Sequence, residues 1–194
     1  MSDAPAGPAA RPRGGRPNWF IALPVDAGRW FEDSVSAPPE GLRRFHPDDL
    51  HLTLAFLGAC GEEAARRAFA RASEWPGAPR EATLGPLVPM GAPARYSALA
   101  FLLEQGRAEV EAAIGRVRDG WLAAAGARPD TRPPKAHVTV ARPRRRGLAD
   151  ERRGGLAWAA TIDVRGQPIA LGRPALFTWA AEPGARLFRV VDGG

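Results

Sequence analysis

Apolar and polar positions alternate with a period of two in several short runs of the chain, and two of those runs repeat one pattern. His51-Leu52-Thr53-Leu54 and His137-Val138-Thr139-Val140 each put branched apolar residues on one side of a strand and an imidazole with a hydroxyl on the other. The match runs outward, to Pro47 and Pro133 four residues before each histidine and to Ala55 and Ala141 four after. Both copies read P-x-x-x-H-φ-T-φ-A, with φ a branched apolar residue. Each therefore presents His and Thr side by side over a buried apolar face.

The same patterning predicts the other elements. Residues 18–23 (NWFIAL) are apolar almost throughout and predict a central strand; further strands are predicted at 50–57, 82–89, 94–103, 136–142, 156–164, 169–180 and 186–191. A short helix is predicted over 26–36 with Trp30 and Phe31 as its apolar face. A second spans 62–75, where Ala65, Ala68, Phe69, Ala72 and Trp75 recur at three and four. The longest covers 107–125, with a stripe of Val110, Ile114, Val117 and Trp121 and with Gly126 as its C-cap. His46-Pro47-Asp48-Asp49 is a turn, and His46 reads as a turn residue. Other turns fall at Arg165-Gly166 and Pro183-Gly184, and 127–135 is a polar, Pro-rich loop that delivers the second motif.

Residues 1–17 are mostly Ala, Pro, Gly and Arg and predict a disordered tail; 18–191 shows no break in composition and reads as a single domain. Strands outnumber helices and the connections are mostly hairpin-like, so the fold class is α+β with antiparallel sheet. His137 follows His51 by 86 residues. With one motif in each half, the economical architecture is a bilobal, pseudo-twofold arrangement of antiparallel sheets. Helices would flank it, and a central cleft would carry the two H-x-T motifs.

Charge changes this picture little. Lys plus Arg total 27 against 21 for Asp plus Glu, a formal +6 that favours anionic partners mildly, nucleic acid among them. Lys135 is the only lysine, an arginine bias in keeping with a GC-rich coding genome. Cys60 is the single cysteine, so no intramolecular disulfide can form; it reads as a small packing residue after a strand. No apolar run reaches the ~20 residues of a membrane span, and no apolar h-region opens the chain. The expectation is a cytoplasmic protein with no membrane contact, no obligate protein partner and a monomeric state.

Two imidazoles facing a common space suit general acid–base catalysis, because a histidine near pH 7 can hold or lack its proton. One takes a proton from water while the other gives one to a leaving oxygen. Thr53 and Thr139, on the same faces, can donate hydrogen bonds to an anionic oxygen, and Arg142, five after His137, adds charge. Phosphodiester cleavage fits these parts. Each motif offers one His, Cys60 is alone and no carboxylate lies on the motif faces, so no metal site is expected. There is no G-x-G-x-x-G after a strand, no Walker A loop and no nucleophile elbow, and no cofactor is expected.

The paired motifs resemble those of the 2H phosphoesterase superfamily, marked by two H-x-[ST]-φ motifs. The chain is most similar to the bacterial and archaeal RNA 2′,3′-cyclic phosphodiesterases, also called 2′-5′ RNA ligases. The stretches that carry this are NWFIALP, HPDDLHLTLAFLG, ARYSALAFLL, KAHVTVAR and ALFTW, spread over about 18–191. The resemblance implies metal-independent hydrolysis of RNA 2′,3′-cyclic phosphodiester ends to 2′-phosphomonoesters, with 2′-5′ ligation as the reverse reaction. By carry-over, His51 is the proton donor to the departing 3′ oxygen and His137 the proton acceptor from water. Thr53, Thr139 and Arg142 hold the phosphate. RNA ends or small cyclic nucleotides are the implied substrates, and an RNA-binding module without turnover is the reading from another class.

Overall fold

The computed structural model describes residues 16–77, 79, 81–144, 148–181 and 186–193 of the 194. The tail expected over 1–17 lies outside these except for Arg16 and Pro17, as does the turn expected at Pro183-Gly184.

Among the described residues nine strands form one antiparallel sheet. In chain order the elements are β1 (Trp19–Pro24), α1 (Trp30–Ser34), β2 (Leu42–Arg44), β3 (His51–Gly58), α2 (Glu62–Phe69), β4 (Ala82–Pro89), β5 (Leu99–Leu103) and α3 (Arg107–Ala124). There follow β6 (His137–Pro143), α4 (Ala149–Ala160), β7 (Pro168–Ile169), β8 (Ala175–Trp179) and β9 (Phe188–Gly193). The strand order is β7-β4-β5-β6-β3-β1-β8-β9, with β2 pairing β6 beside β3.

The two motif strands are neighbours at the centre of this order. Leu52 of β3 stands opposite Val138 of β6, each the middle residue of its His-φ-Thr triplet. On one side of this junction β3 continues into β1, β8 and β9; on the other β6 continues into β5, β4 and β7. The expected pseudo-twofold pair of β-rich halves, one motif in each, is the observed architecture.

The sheet is strongly curled. Register carries Gly58 to Trp19, Trp19 to Thr178, and Trp179 to Phe188, so the start of β9 belongs at the Gly58 end of β3. Yet the Phe188 N–H bonds the side chain of Asp49, which precedes the opposite end of β3. The right-handed twist between strands lifts these two diagonal corners toward one another over one face. Phe20 and Phe177, stacked with ring centroids 5.1 Å apart, fill the space between them.

On the other face Leu52, Leu54, Val138 and Val140 are buried. There α3 packs on β3, α2 packs on β1 and β8, and α4 lies against β2, β4 and β6. Trp121 and Val110 of the α3 stripe are fully buried, as its 3.6-residue period predicts.

Several elements differ from the sequence-based expectation. Of the strand expected over 156–164, residues 156–160 are the end of α4 and 161–164 are a turn and loop. Gly155 is where this helix packs closest: a Cβ there would collide with the Tyr96 hydroxyl and Leu42. The helix expected over 62–75 ends at Phe69 and gives way to a 3-10 turn at Ala72–Glu74. The helix expected over 26–36 is the five residues of α1. The strand expected over 169–180 is two, β7 and β8, split where Gly172 and Pro174 interrupt the ladder.

Candidate active site

Antiparallel pairing of Leu52 with Val138 has a direct consequence for the polar faces. One step either way, His51 stands opposite Thr139 and Thr53 opposite His137. The four side chains thus form a two-by-two block on one face, with each histidine beside the other motif's threonine. Directly opposed side chains lie about 5 Å apart and diagonal ones about 7 Å. The imidazoles occupy the diagonal of this block, each Nε2 on the same face of the sheet. Among the described residues neither threonine hydroxyl has a protein hydrogen-bond partner.

Both rings are held in the same way. His51 Nδ1 lies 2.7 Å from the carbonyl oxygen of Asp49, and His137 Nδ1 lies 2.6 Å from that of Lys135, each two residues earlier. A carbonyl can only accept, so Nδ1 carries the hydrogen in both, and each Nε2 is left to exchange a proton with a ligand.

Their surroundings differ. His51 is 5 % exposed and ringed by phenylalanines: Phe20 at 4.8 Å between centroids, Phe188 at 5.2 Å edge-on, Phe177 at 5.5 Å and Phe45 at 6.5 Å. Burial among these rings lowers its pKa from 6.5 to about 4; the Asp49 carbonyl acts the other way, and Arg142 and His137 add smaller lowering. His137 is half-buried. Its pKa is also lowered, by desolvation first and then by Lys135 and Arg142, against the Lys135 carbonyl.

Arg142 is felt by both imidazoles, and its guanidinium carbon lies 5.4 Å from the Phe45 ring centroid. The pseudo-twofold relates it to a residue that the spacing alone did not single out. Arg142 is five after His137; five after His51 is Phe56, whose ring is 56 % exposed. The signal was legible as H-x-T-x-x-F against H-x-T-x-x-R, but an exposed phenylalanine becomes notable only once its surroundings are known.

His46 caps the 3-10 turn at Pro47–Asp49, its Nδ1 accepting the Asp48 N–H at 3.2 Å. It takes no part in the block. The motif histidines line neither an open cavity of about 510 Å³ between α1 and β7 nor one of about 660 Å³ beside residues 24–28 and 170–172. Among the described residues no group of three or more His, Cys, Asp or Glu is placed to hold a metal ion, and no helix is long and apolar enough to cross a membrane.

No protein-family model matches the chain, and no curated protein sequence is similar to it. Solved structures are. E. coli LigT complexed with 3′-AMP superposes with a TM-score of 0.60 at 19% identity, covering 91% of this chain and 96% of that one. A crystal structure described as a phosphoesterase gives 0.57 at 20% identity over 91% and 94%. TT0787 of Thermus thermophilus gives 0.55 at 20% identity over 90% and 95%. At these identities the likeness is one of fold: the chain has the LigT-like α+β fold that its sequence resemblance implied.

Proposed function

We propose that the protein is a 2H phosphoesterase that hydrolyses 2′,3′-cyclic phosphodiester ends of RNA to 2′-phosphomonoesters. The observation that carries this reading is the antiparallel β3–β6 junction, which gathers two imidazoles with free Nε2 atoms and two unspent threonine hydroxyls on one face. In the reaction, His137 Nε2 takes a proton from a water molecule as its oxygen attacks phosphorus. His51 Nε2–H gives its proton to the departing O3′, the P–O3′ bond breaks, and the phosphate stays on O2′. Thr53 and Thr139 donate to the non-bridging oxygens while Arg142 offsets their charge. Acid, base and anion donors are all supplied by side chains, so the reading needs no metal or cofactor. E. coli LigT, of similar fold, has been solved with 3′-AMP and with phosphate, ligands of the size and charge this block suits. The exposed Phe56 ring offers a face on which a terminal base can stack.

The test is to incubate the full chain, with EDTA present, with an oligonucleotide ending in a 2′,3′-cyclic phosphate and to identify the product isomer. A 2′-phosphate is expected. Binding of the oligonucleotide with no turnover would replace this reading by that of an RNA-binding module.

A further inference from the structure

The two motifs are near twins in sequence, yet acid–base catalysis needs two histidines that are chemically unequal. Asp49 is where the structure makes them so. It is 0 % exposed and, among the described residues, the one acidic side chain buried to this degree. A carboxylate taken from water needs hydrogen bonds to offset its lost hydration. Those of Asp49 come from a strand 138 and 139 residues away: one oxygen accepts the Leu187 N–H at 2.7 Å and the other the Phe188 N–H at 3.2 Å. Arg186 Nε lies 3.7 Å from the carboxylate. These bonds clip together the two diagonal corners of the twisted sheet, and the ring so delivered, Phe188, sits edge-on against His51. The same Asp49 accepts the His51 Nδ1–H through its backbone carbonyl. In the second motif the equivalent residue is Lys135, which lends a carbonyl to His137 but has an exposed side chain and clips nothing buried.

We propose that Asp49 is a positioning residue for His51: its carboxylate pins the Leu187–Phe188 backbone so that the Phe188 ring closes a dry pocket over one imidazole and not the other. The proposal rests on His51 being the acid named above. The charged or titratable groups near that imidazole are Arg142 and His137 on β6 and, beyond the clip, Arg186 with Asp48; β1, β8 and β9 present it only the rings of Phe20, Phe177 and Phe188.

The test is a ¹⁵N NMR titration of the three imidazoles in the full chain, with His46→Ala as an assignment aid. In the wild type His51 should hold the Nδ1–H tautomer and titrate near 4. Asp49→Ala should admit water, move the His51 titration up by about one unit or more toward its ordinary value, and leave that of His137 in place. Asp49→Asn should shift the His51 titration in the same direction as Asp49→Ala but by less, because its single amide oxygen can accept only one of the two backbone N–H groups while its NH2 meets the other. Phe188→Leu, which keeps the backbone donors and removes only the ring, should also raise the His51 titration. In Asp49→Ala the acidic limb of kcat/KM on a cyclic-phosphate end, the one expected near 4 in the wild type, should move up with the NMR value. An Asp49→Ala protein with native circular dichroism and an unmoved His51 titration overturns the proposal. Should that variant not fold, an unmoved titration in Phe188→Leu overturns it instead. The titration does not depend on turnover, so a protein inactive on cyclic phosphates would refute the proposed reaction while the role of Asp49 was still decided.

Discussion

Leu52 faces Val138 across the centre of the sheet, and this pairing of two buried apolar residues sets the polar geometry on the opposite face. Each is the middle of a His-φ-Thr triplet, so the local dyad passes between them. A slip of one residue would turn one motif's His and Thr into the core. The first expected outcome concerns the block itself. His51→Ala and His137→Ala should each lower kcat on a cyclic-phosphate end by about a hundredfold or more, and His46→Ala by a few-fold at most. The two losses should not multiply in the double variant, because acid and base serve one transition state. A folded His51→Ala protein with wild-type turnover would rule out the two-histidine mechanism.

The pH profile of kcat/KM should peak on the acidic side of 6.5. The productive form has His51 charged and His137 neutral. The His51 pKa is lowered to about 4 and that of His137 lies below its ordinary value, so both limbs fall below 6.5. Arg142→Ala removes a positive charge that lowers both, and should move the profile to higher pH while reducing its maximum. A rate independent of pH between about 5 and 9 would contradict this.

Burial of neutral His51 also predicts how stability depends on pH. Above pH 6.5 the imidazole is neutral folded and unfolded, and its depressed pKa has no effect. As pH falls from 6.5 toward 4 the unfolded chain takes up the proton first, so stability is lost across that window. The loss attributable to His51 is about 3 kcal/mol when complete. Urea denaturation at pH 7 and pH 4.5 should show a smaller difference for His51→Leu than for the wild type; equal differences would contradict the assignment.

Phe56→Ala should leave the melting temperature near that of the wild type, because the ring is more than half exposed. It should lower kcat/KM on an oligonucleotide cyclic-phosphate end by about tenfold, the loss expected for one base–aromatic stack. Unchanged kinetics would show that the base lies elsewhere.

Gly155→Ala tests the helix that replaced an expected strand. The added methyl would meet the Tyr96 hydroxyl and Leu42, in a helix where alanine is otherwise favoured over glycine. Overpacking should outweigh the gain in propensity and destabilise by about 1–3 kcal/mol, readable by chemical denaturation. At Gly154, where the nearest contact is Pro39 at 3.8 Å, the same substitution should be neutral or stabilising.

The sequence by itself determined the two H-x-T strands, which residues of each face the core, and the pairing of halves. All of these follow from side-chain alternation with a period of two, a local property. It also held the composition of the polar block, because His51, Thr53, His137, Thr139 and Arg142 lie within two short segments. Only the tertiary structure decided what surrounds them. Asp49 looks like any carboxylate in a Pro turn; its burial depends on donors at Leu187 and Phe188, brought near by the twist accumulated from β3 across β1 and β8 to β9. The inequality of the two histidines has the same origin. Desolvation is set by neighbours far apart along the chain, and the rings around His51 come from β1, β8, β9 and the segment after β2. The mistaken strand over 156–164 was a local ambiguity of another kind: Leu156, Trp158 and Ile162 satisfy either period, and packing of Gly155 against Tyr96 settled 156–160 as helix.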